Sequence, residues 1–586
     1  MKLLKLKIEN KEGFRSLQHG FEINFHTLAD TEAMEQFRPF CFAGLNGSGK
    51  SNVLEALANI FYHIEVCVAR YLPESIKDTN NFKRNECTPD AFTLEYLIGQ
   101  HDSKDYVFSL FNKVVISKKE GEEPGIKVYE YPFIAENILI PNPETTKEDK
   151  EKDLINSSGK ILENQDEMYL PDHIVGYSSG ENEILSLPFI KSRLIHLDEY
   201  KQATQDGYKR FDKSENSLIY IDNNMSQAVL LACLLFENEE TLSSLRDVNN
   251  TGIVGMRSFR MNIHLHDFEV QDEKTKKSIT VPILKLIEQH QLDSLKKCAT
   301  SWFLDHKSKT LWLDFYVDGA TKAAFKKHFH TSLECFQFFR LLYELNNHFV
   351  DDETKAEVYR SKGVYTDGKL PLGTPKQEVF HFLDFYITKE FKKTGEIKDL
   401  LLRSFSDGEH QFIHSMGICL LLKNRRSILL LDEPETHFNP SWRAKFVKIL
   451  NDSISEGNLK EDFNVHLLKD VLLTSHSPFI ISDCLPDNVV LFDKDENGNT
   501  IAKKVSELDY AFNTYGTSVE LILDRLFNYD QSIGDLSHSE LEDSIDFGEI
   551  KSKKDIETAK SKLKHFGESI EKDMVLARLN KIKTEN

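Results

Sequence analysis

No apolar run in this chain of 586 residues approaches the roughly 18 residues that a membrane-spanning helix needs. The first ten residues, MKLLKLKIEN, alternate apolar and polar side chains. They lack the apolar core of a signal peptide and read as a strand. No CxxC pair occurs among the eight cysteines, which are scattered, Cys41 and Cys419 within apolar runs. They read as buried free thiols of a reducing cytoplasm, not as disulfides or zinc ligands. No apolar heptad persists, which excludes a long coiled-coil arm, and no segment repeats. Positive charge is in deficit: 73 Lys and Arg against 94 Asp and Glu leave a net charge of −21. That excludes a chain-wide nucleic-acid coat, leaves room for a local basic groove, and favours solubility or a basic partner.

What is present is a composition of globular type, 40% hydrophobic and 28% charged, long enough for several domains. Leu3–Ile8 and Phe21–Phe25 read as strands joined by a polar turn containing Arg15. Phe40–Ala43 is a short apolar strand, and Ser51 to about Arg70 has helical spacing. Strand patterns return over 92–133, including Tyr106–Phe108, and residues 142–168 are polar enough for a loop. Ile174–Gly180 resumes an apolar strand. From about 190 to 395 the pattern is mixed, with expected strands at Arg260–Leu265 and Leu311–Val317 and expected helices at 281–303 and 330–349. Residues 405–500 return to α/β patterning, and the tail after about 508 reads as charged helices.

Gly44-Leu45-Asn46-Gly47-Ser48-Gly49-Lys50-Ser51 carries the full GxxxxGK[ST] spacing between an expected strand and an expected helix. In such a loop the backbone N–H groups of Asn46, Gly47, Ser48 and Gly49 wrap phosphates at the positive end of the helix dipole. Lys50 is expected to reach the β- and γ-phosphates of ATP, and Ser51 to ligand Mg2+. Far downstream, Ser427–Leu431 is an apolar strand ending in Asp432 and Glu433. Asp432 is expected to hold the Mg2+ shell, and Glu433 to orient or deprotonate water. A second apolar strand, Val471–Thr474, ends in Ser475-His476-Ser477, where His476 can contact a γ-phosphate. Ser406 stands as N-cap of an apolar helix, and with the N–H groups around Gly408 it offers either a second anion site or an ordinary capped helix end.

This set resembles the ABC-type ATPase heads of the SMC, RecF and OLD kind. Ser406-Asp407-Gly408-Glu409 resembles their LSGGE signature, Asp432–Asn439 their Walker B and D-loop, and His476 their switch histidine. The resemblance covers about 1–190 and 396–500. It implies an ABC-type P-loop NTPase head of α/β class, split by a large mixed α/β insertion and followed by a helical C-terminal tail. The divisions expected are 1–190, an ATPase lobe with Walker A; 191–395, an inserted regulatory or lid domain; 396–507, the lobe with signature, Walker B and switch histidine; and 508–586, the charged tail. It also implies head-to-tail homodimers or higher homo-oligomers, with Ser406 of one copy set against ATP on Lys50 of the other.

There are departures. Asp407 stands where glycine is usual, Phe405 where leucine is usual, and Asn439 where aspartate is common. No glutamine is placed as a Q-loop, and Asn182 or Glu183 are the substitutes by position. Arg15 reads either as a nucleotide contact or as a turn-stabilising arginine. With its tail, the chain also resembles the ATPases of bacterial restriction and anti-phage systems, the Septu (PtuA-like) ATPases among them. That implies a cytoplasmic ATPase that regulates a separate nuclease. The alternatives are a RecF-like DNA maintenance ATPase and a nuclease with a metal site in the insertion.

Other signals carry less. Asp493–Gly498 begins like a calcium loop, but Lys504 replaces the closing glutamate, and an Asn-Gly hairpin fits better. No TOPRIM nuclease is expected after it. His264/His266 and His328/His330 lack metal-ligand spacing. Lys296/Lys297, Lys322/Lys326/Lys327 and Arg257/Arg260 read as solvated charge or as the lining of a DNA groove.

Overall fold

The apolar runs that end in chemistry-bearing residues become neighbours in one sheet. Its strand order is Thr500–Lys504, Val489–Lys494, Phe40–Gly44, Lys469–Thr474, Ser427–Asp432, His173–Ser178 and Leu218–Tyr220. All neighbours are parallel except the hairpin formed by the first two. The central strands are buried along their whole length, as in a parallel sheet covered on both faces. This is a computed structural model; it describes the chain except residues 29–36, 71, 78, 100–109, 133–159, 180–182, 206–216, 266, 272–277, 283–286, 288, 364–369, 372, 375–376, 423–424, 456–468, 509–511, 530, 551 and 583–586.

An antiparallel sheet faces this one, in the order Glu22–Asn24, Lys2–Ile8, Phe92–Gly99, Leu110–Lys118, Gly125–Pro132 and Lys160–Ile161. The helix Lys50–Val68 shares a core with both: Leu6 and Leu94 come from the antiparallel sheet, Val53 and Leu57 from the helix, Phe42 and Leu430 from the parallel sheet. Each such side chain contributes about 1.5–3 kcal/mol on burial. A buried carboxylate joins the two sheets at one point. Asp470 accepts from the Leu3 N–H at 2.8 Å and bonds His26 Nε2 at 3.2 Å. Burial opposes its charge, but His26 and Lys2 hold its pKa below the usual range.

The stretch expected as an insertion over 191–395 carries an antiparallel sheet ordered Ser301–Asp305, Thr310–Tyr316, Ile253–His264, Phe380–Glu390 and Ile397–Leu401, whose last strand lies beyond the expected boundary. Its inner face is aromatic, with the Phe259 and Phe315 rings stacked at 4.3 Å. Helices Gly319–Phe329 and Ser332–Leu345 cover that face. The same core runs on through the helix Asn223–Phe236 to Phe412 and Met416 of the helix Asp407–Leu421 and to Leu429 and Leu431 of the parallel sheet.

Several expectations shift. The helix expected over 281–303 is shorter, Gln289–Cys298, and follows a strand, Ser278–Pro282. Trp302 and Phe303 leave the helical pattern because they pair with Leu313 and Trp312 across the sheet. Tyr106–Phe108 and most of the polar stretch 142–168 lie outside the described residues, while Asn164–Tyr169 forms a short 3-10 turn. Asp495 Oδ1 accepts the N–H groups of Asn497 and Asn499, so the calcium-like segment holds its own hairpin turn. The tail folds as short helices, Val519–Phe527, Asp535–Asp543, Lys553–Leu563 and Ile570–Lys581. Leu541, Ile545, Leu563 and Leu579 form a small core of their own there. Among the described residues no helix is long and apolar enough to cross a membrane. None of the eight cysteines forms a disulfide, and seven of them are buried.

Candidate functional site

The glycine loop leaves the strand Phe40–Gly44 and enters the helix Lys50–Val68 with no side chain capping the helix N-terminus. Its first N–H groups are therefore open to an anion. Gly49 holds φ 107°, and a Cβ there would stand 2.7 Å from Ser16 Oγ, so only glycine fits. Asn46 and Gly47 are exposed at the tip, while Ser48 is buried and its Oγ has no hydrogen-bond partner. Lys50 Nζ turns onto the loop itself and donates to Gly44 O and Leu45 O, both at 2.9 Å. Burial lowers its pKa to about 8, with the charges of Glu433 and Asp432 opposing the shift. A buried ammonium whose hydrogen bonds, among the described residues, go to loop carbonyls is a group that an anion would stabilise.

Ser51 follows, and its Oγ donates to Asp432 Oδ1 at 2.8 Å. Thr474 Oγ1, at the end of the strand between them, donates to the same oxygen at 2.7 Å. The register sets this meeting, because Asp432 and Thr474 are paired across parallel strands. Thr474 Oγ1 also accepts the Glu433 N–H at 2.9 Å. Glu433 has φ 47°, a left-handed conformation that costs a non-glycine residue on the order of 1 kcal/mol. It swings the carboxylate out of the strand, where Oε1 lies 3.6 Å from His476 Nε2. Burial lowers the His476 pKa, and Lys50 lowers it further. Lys50, Ser51, Asp432, Glu433 and His476 thus converge at the C-terminal ends of three adjacent strands, where open parallel sheets bind ligands.

Reading the sequence missed several side chains here. Thr474 had no assigned role, although its place before Ser475-His476 was visible. Glu435 is buried, and its carboxyl accepts from Ser475 Oγ, which in turn accepts the Ser477 N–H at 2.9 Å. Burial pushes the Glu435 carboxyl up to about 7. Ser179 Oγ donates to Thr436 Oγ1 at 2.7 Å, and Thr436 Oγ1 donates to Glu433 O at 3.0 Å.

Ser406 is the N-cap of the helix Asp407–Leu421, within a capping box closed by Glu409. The Glu409 Oε2 accepts the Ser406 N–H at 2.9 Å, and its other oxygen accepts from Lys389. A Cβ on Gly408 would stand 2.8 Å from His437 O, so glycine lets this helix approach the stretch after the acidic strand. Gln411 Oε1 accepts the His437 N–H at 3.1 Å at the same junction. Asn439 caps the short helix Pro440–Arg443. Among the described residues no hydrogen bond of Ser406 reaches Lys50 or Ser51 within the chain.

Arg15 points away from a nucleotide role. It is paired with Glu55 at 2.8 Å and donates to Gly363 O at 2.8 Å. Asn182 lies outside the described residues, as does the Glu183 side chain. Arg257 and Arg260, candidates for a DNA groove, are paired with Asp399 at 3.0 Å and Asp314 at 2.5 Å. Among the described residues no three His, Cys, Asp or Glu side chains group as a metal site.

Residues 309–482 match the family model described as "AAA domain, putative AbiEii toxin, Type IV TA system". The matched stretch contains Ser406, Gly408, Asp432, Glu433 and His476, and the glycine loop lies outside it. No curated protein matches the chain. Among solved structures it is similar to an Smc head bound to the C-winged helix domain of ScpA, at 10% identity over 86% of this chain and 98% of that one, with a TM-score of 0.30. A Pyrococcus furiosus Smc head with an extended coiled coil, bound to the C-terminal domain of ScpA, is 10% identical over 86% and 97%, with a TM-score of 0.29. The SMC head domain of Thermotoga maritima is 11% identical over 86% and 99%, with a TM-score of 0.28. Likeness at that level fixes no fold. The strand order, the glycine loop and the matched AAA stretch agree on an α/β fold of P-loop ATPase type.

Proposed function

We propose that this chain binds and hydrolyses ATP with Mg2+, that its heads pair on ATP, and that the pairing gates a separate effector, a nuclease, in anti-phage defence. The observation that carries the ATPase reading is the convergence of Ser51 and Thr474 on one oxygen of Asp432, beside a Lys50 whose hydrogen bonds, among the described residues, go to its own loop. Ser51 and Asp432 present hard oxygen donors of the kind Mg2+ takes, so these two would hold it, and the ion would neutralise phosphate charge.

Each side chain then has a task. The N–H groups of Asn46 to Gly49 and the Lys50 ammonium bind the phosphates. Glu433 takes a proton from the water that attacks the γ-phosphorus as the bond to the bridging oxygen breaks. His476, whose pKa burial lowers, donates a ring N–H to the γ-phosphate. Among the described residues no hydrogen bond of Ser406 reaches Lys50's site within one chain, which supports the use of Ser406 and Gly408 across a pair of chains. The gating and defence reading has narrower support: the resemblance of the sequence to Septu-type ATPases.

Binding of a fluorescent ATP analogue tests the core of this reading. Lys50→Ala abolishes binding, while Glu433→Gln keeps binding and loses turnover. Unchanged turnover in Glu433→Gln contradicts it.

A further inference from the structure

The outer face of the insertion's sheet has a composition that its inner face does not explain. Strand alternation turns Phe303, Trp312, Tyr316 and Tyr386 outward, opposite the buried Phe259, Leu313 and Phe315. They are 64%, 37%, 55% and 37% exposed. Leu383 and Ile397 are exposed on neighbouring strands. Five strands about 4.8 Å apart, each about six residues of about 3.3 Å, make a face on the order of 500 Å2. Exposed rings grouped on one face and bordered by polar groups mark interaction sites.

Charge decides what the face accepts. Alternation and pairing put the carboxylates of Asp305, Asp314, Asp384, Glu390 and Asp399 on this side, against the arginines Arg257 and Arg260. Both arginines are engaged, by Asp399 and Asp314. At the rim, Lys296 lies 5.3 Å from the Trp302 centroid. With Asp399 and Asp314 neutralising the two arginines, the remaining carboxylates leave the face with an excess of negative charge, which repels a phosphate backbone. They also repel the same face of a second copy. Carboxylates between exposed rings instead suit guanidinium and ammonium groups, through ion pairs and cation–π contacts.

We infer that this face docks a protein partner through a segment that alternates arginine or lysine with apolar residues. The strand Phe380–Glu390 links the face to the ATPase end of the molecule. Tyr386 and Thr388 point outward, while Lys389 points inward and holds Glu409, which closes the capping box at Ser406. The regulatory use of this contact rests on the gating reading above; the docking does not.

The test is fluorescence anisotropy with a labelled peptide alternating arginine with leucine, beside the same peptide with glutamate for arginine and labelled oligo(dT). The arginine peptide binds the full chain, and salt weakens it. The pair Trp312→Ser/Tyr316→Ser and the pair Asp314→Asn/Asp399→Asn each reduce its affinity by about tenfold or more, with ATP turnover and melting temperature near wild type. The glutamate peptide and oligo(dT) do not respond to these variants. No binding of the arginine peptide, or equal binding to the variants, overturns the inference. Oligo(dT) binding lost in the variants overturns it in favour of nucleic acid, and a dimer lost in them, by sedimentation, in favour of a second copy. A wild type without turnover contradicts the ATPase reading alone, because peptide binding needs no hydrolysis.

Discussion

The Glu435 carboxyl sits inside the protein with one oxygen on Ser475 and the other without a hydrogen-bond partner. Burial raises its pKa from 4.5 to about 7. In the folded chain it keeps its proton up to about that pH, and in the unfolded chain it loses it near 4.5. Between those values the folded state binds more protons, so this group's contribution is complete at low pH and is lost as pH rises through about 7. Glu435→Gln fixes the neutral form. Thermal unfolding from pH 5 to pH 8 should therefore show the wild type losing stability relative to Glu435→Gln by on the order of 3 kcal/mol. Parallel pH profiles would contradict this account. Nothing in Asp432-Glu433-Pro434-Glu435 tells one carboxylate from another, because burial belongs to the fold. The apolar run marked only where the strand ends, at Asp432.

At the scale of elements, the signature helix shows where sequence patterns suffice and where they stop. Ser406 as N-cap, with Glu409 three residues on, is a local pattern, and the helix begins there. The Lys389–Glu409 contact was not legible, since it joins a strand of the insertion to that helix across a chain reversal. Ser406→Ala removes the cap and should lower stability by about 1 kcal/mol. If Ser406 also completes a neighbour's site, turnover falls far more than that loss explains while ATP binding to the single chain persists. Melting and nucleotide titration of the same variant separate the two effects. Turnover that falls only in proportion to the melting change leaves Ser406 as a cap and nothing else. The helix expected across 281–303 failed for the opposite reason. Trp302 and Phe303 fit a helix stripe in sequence, but strand partners in Thr310–Tyr316 claim them.

The whole molecule places residues from opposite ends of the chain in one site. Phe40–Gly44, Lys469–Thr474 and Ser427–Asp432 lie side by side, so Ser51 and Asp432 meet across 381 positions. Each of these three strands and the glycine loop was readable from its own pattern. The order of the strands and the shared core of insertion and signature helix depend on long-range packing, which no local pattern encodes. The partner copy is a proposal at this same scale, because among the described residues no hydrogen bond of Ser406 reaches the glycine loop of its own chain. The most direct measurement is the mass of Glu433→Gln in solution with and without ATP and Mg2+. The account predicts a monomer without nucleotide and a stable dimer or larger homo-oligomer with ATP, lost again in Glu433→Gln/Lys50→Ala. A Glu433→Gln chain that binds ATP and stays monomeric would contradict it.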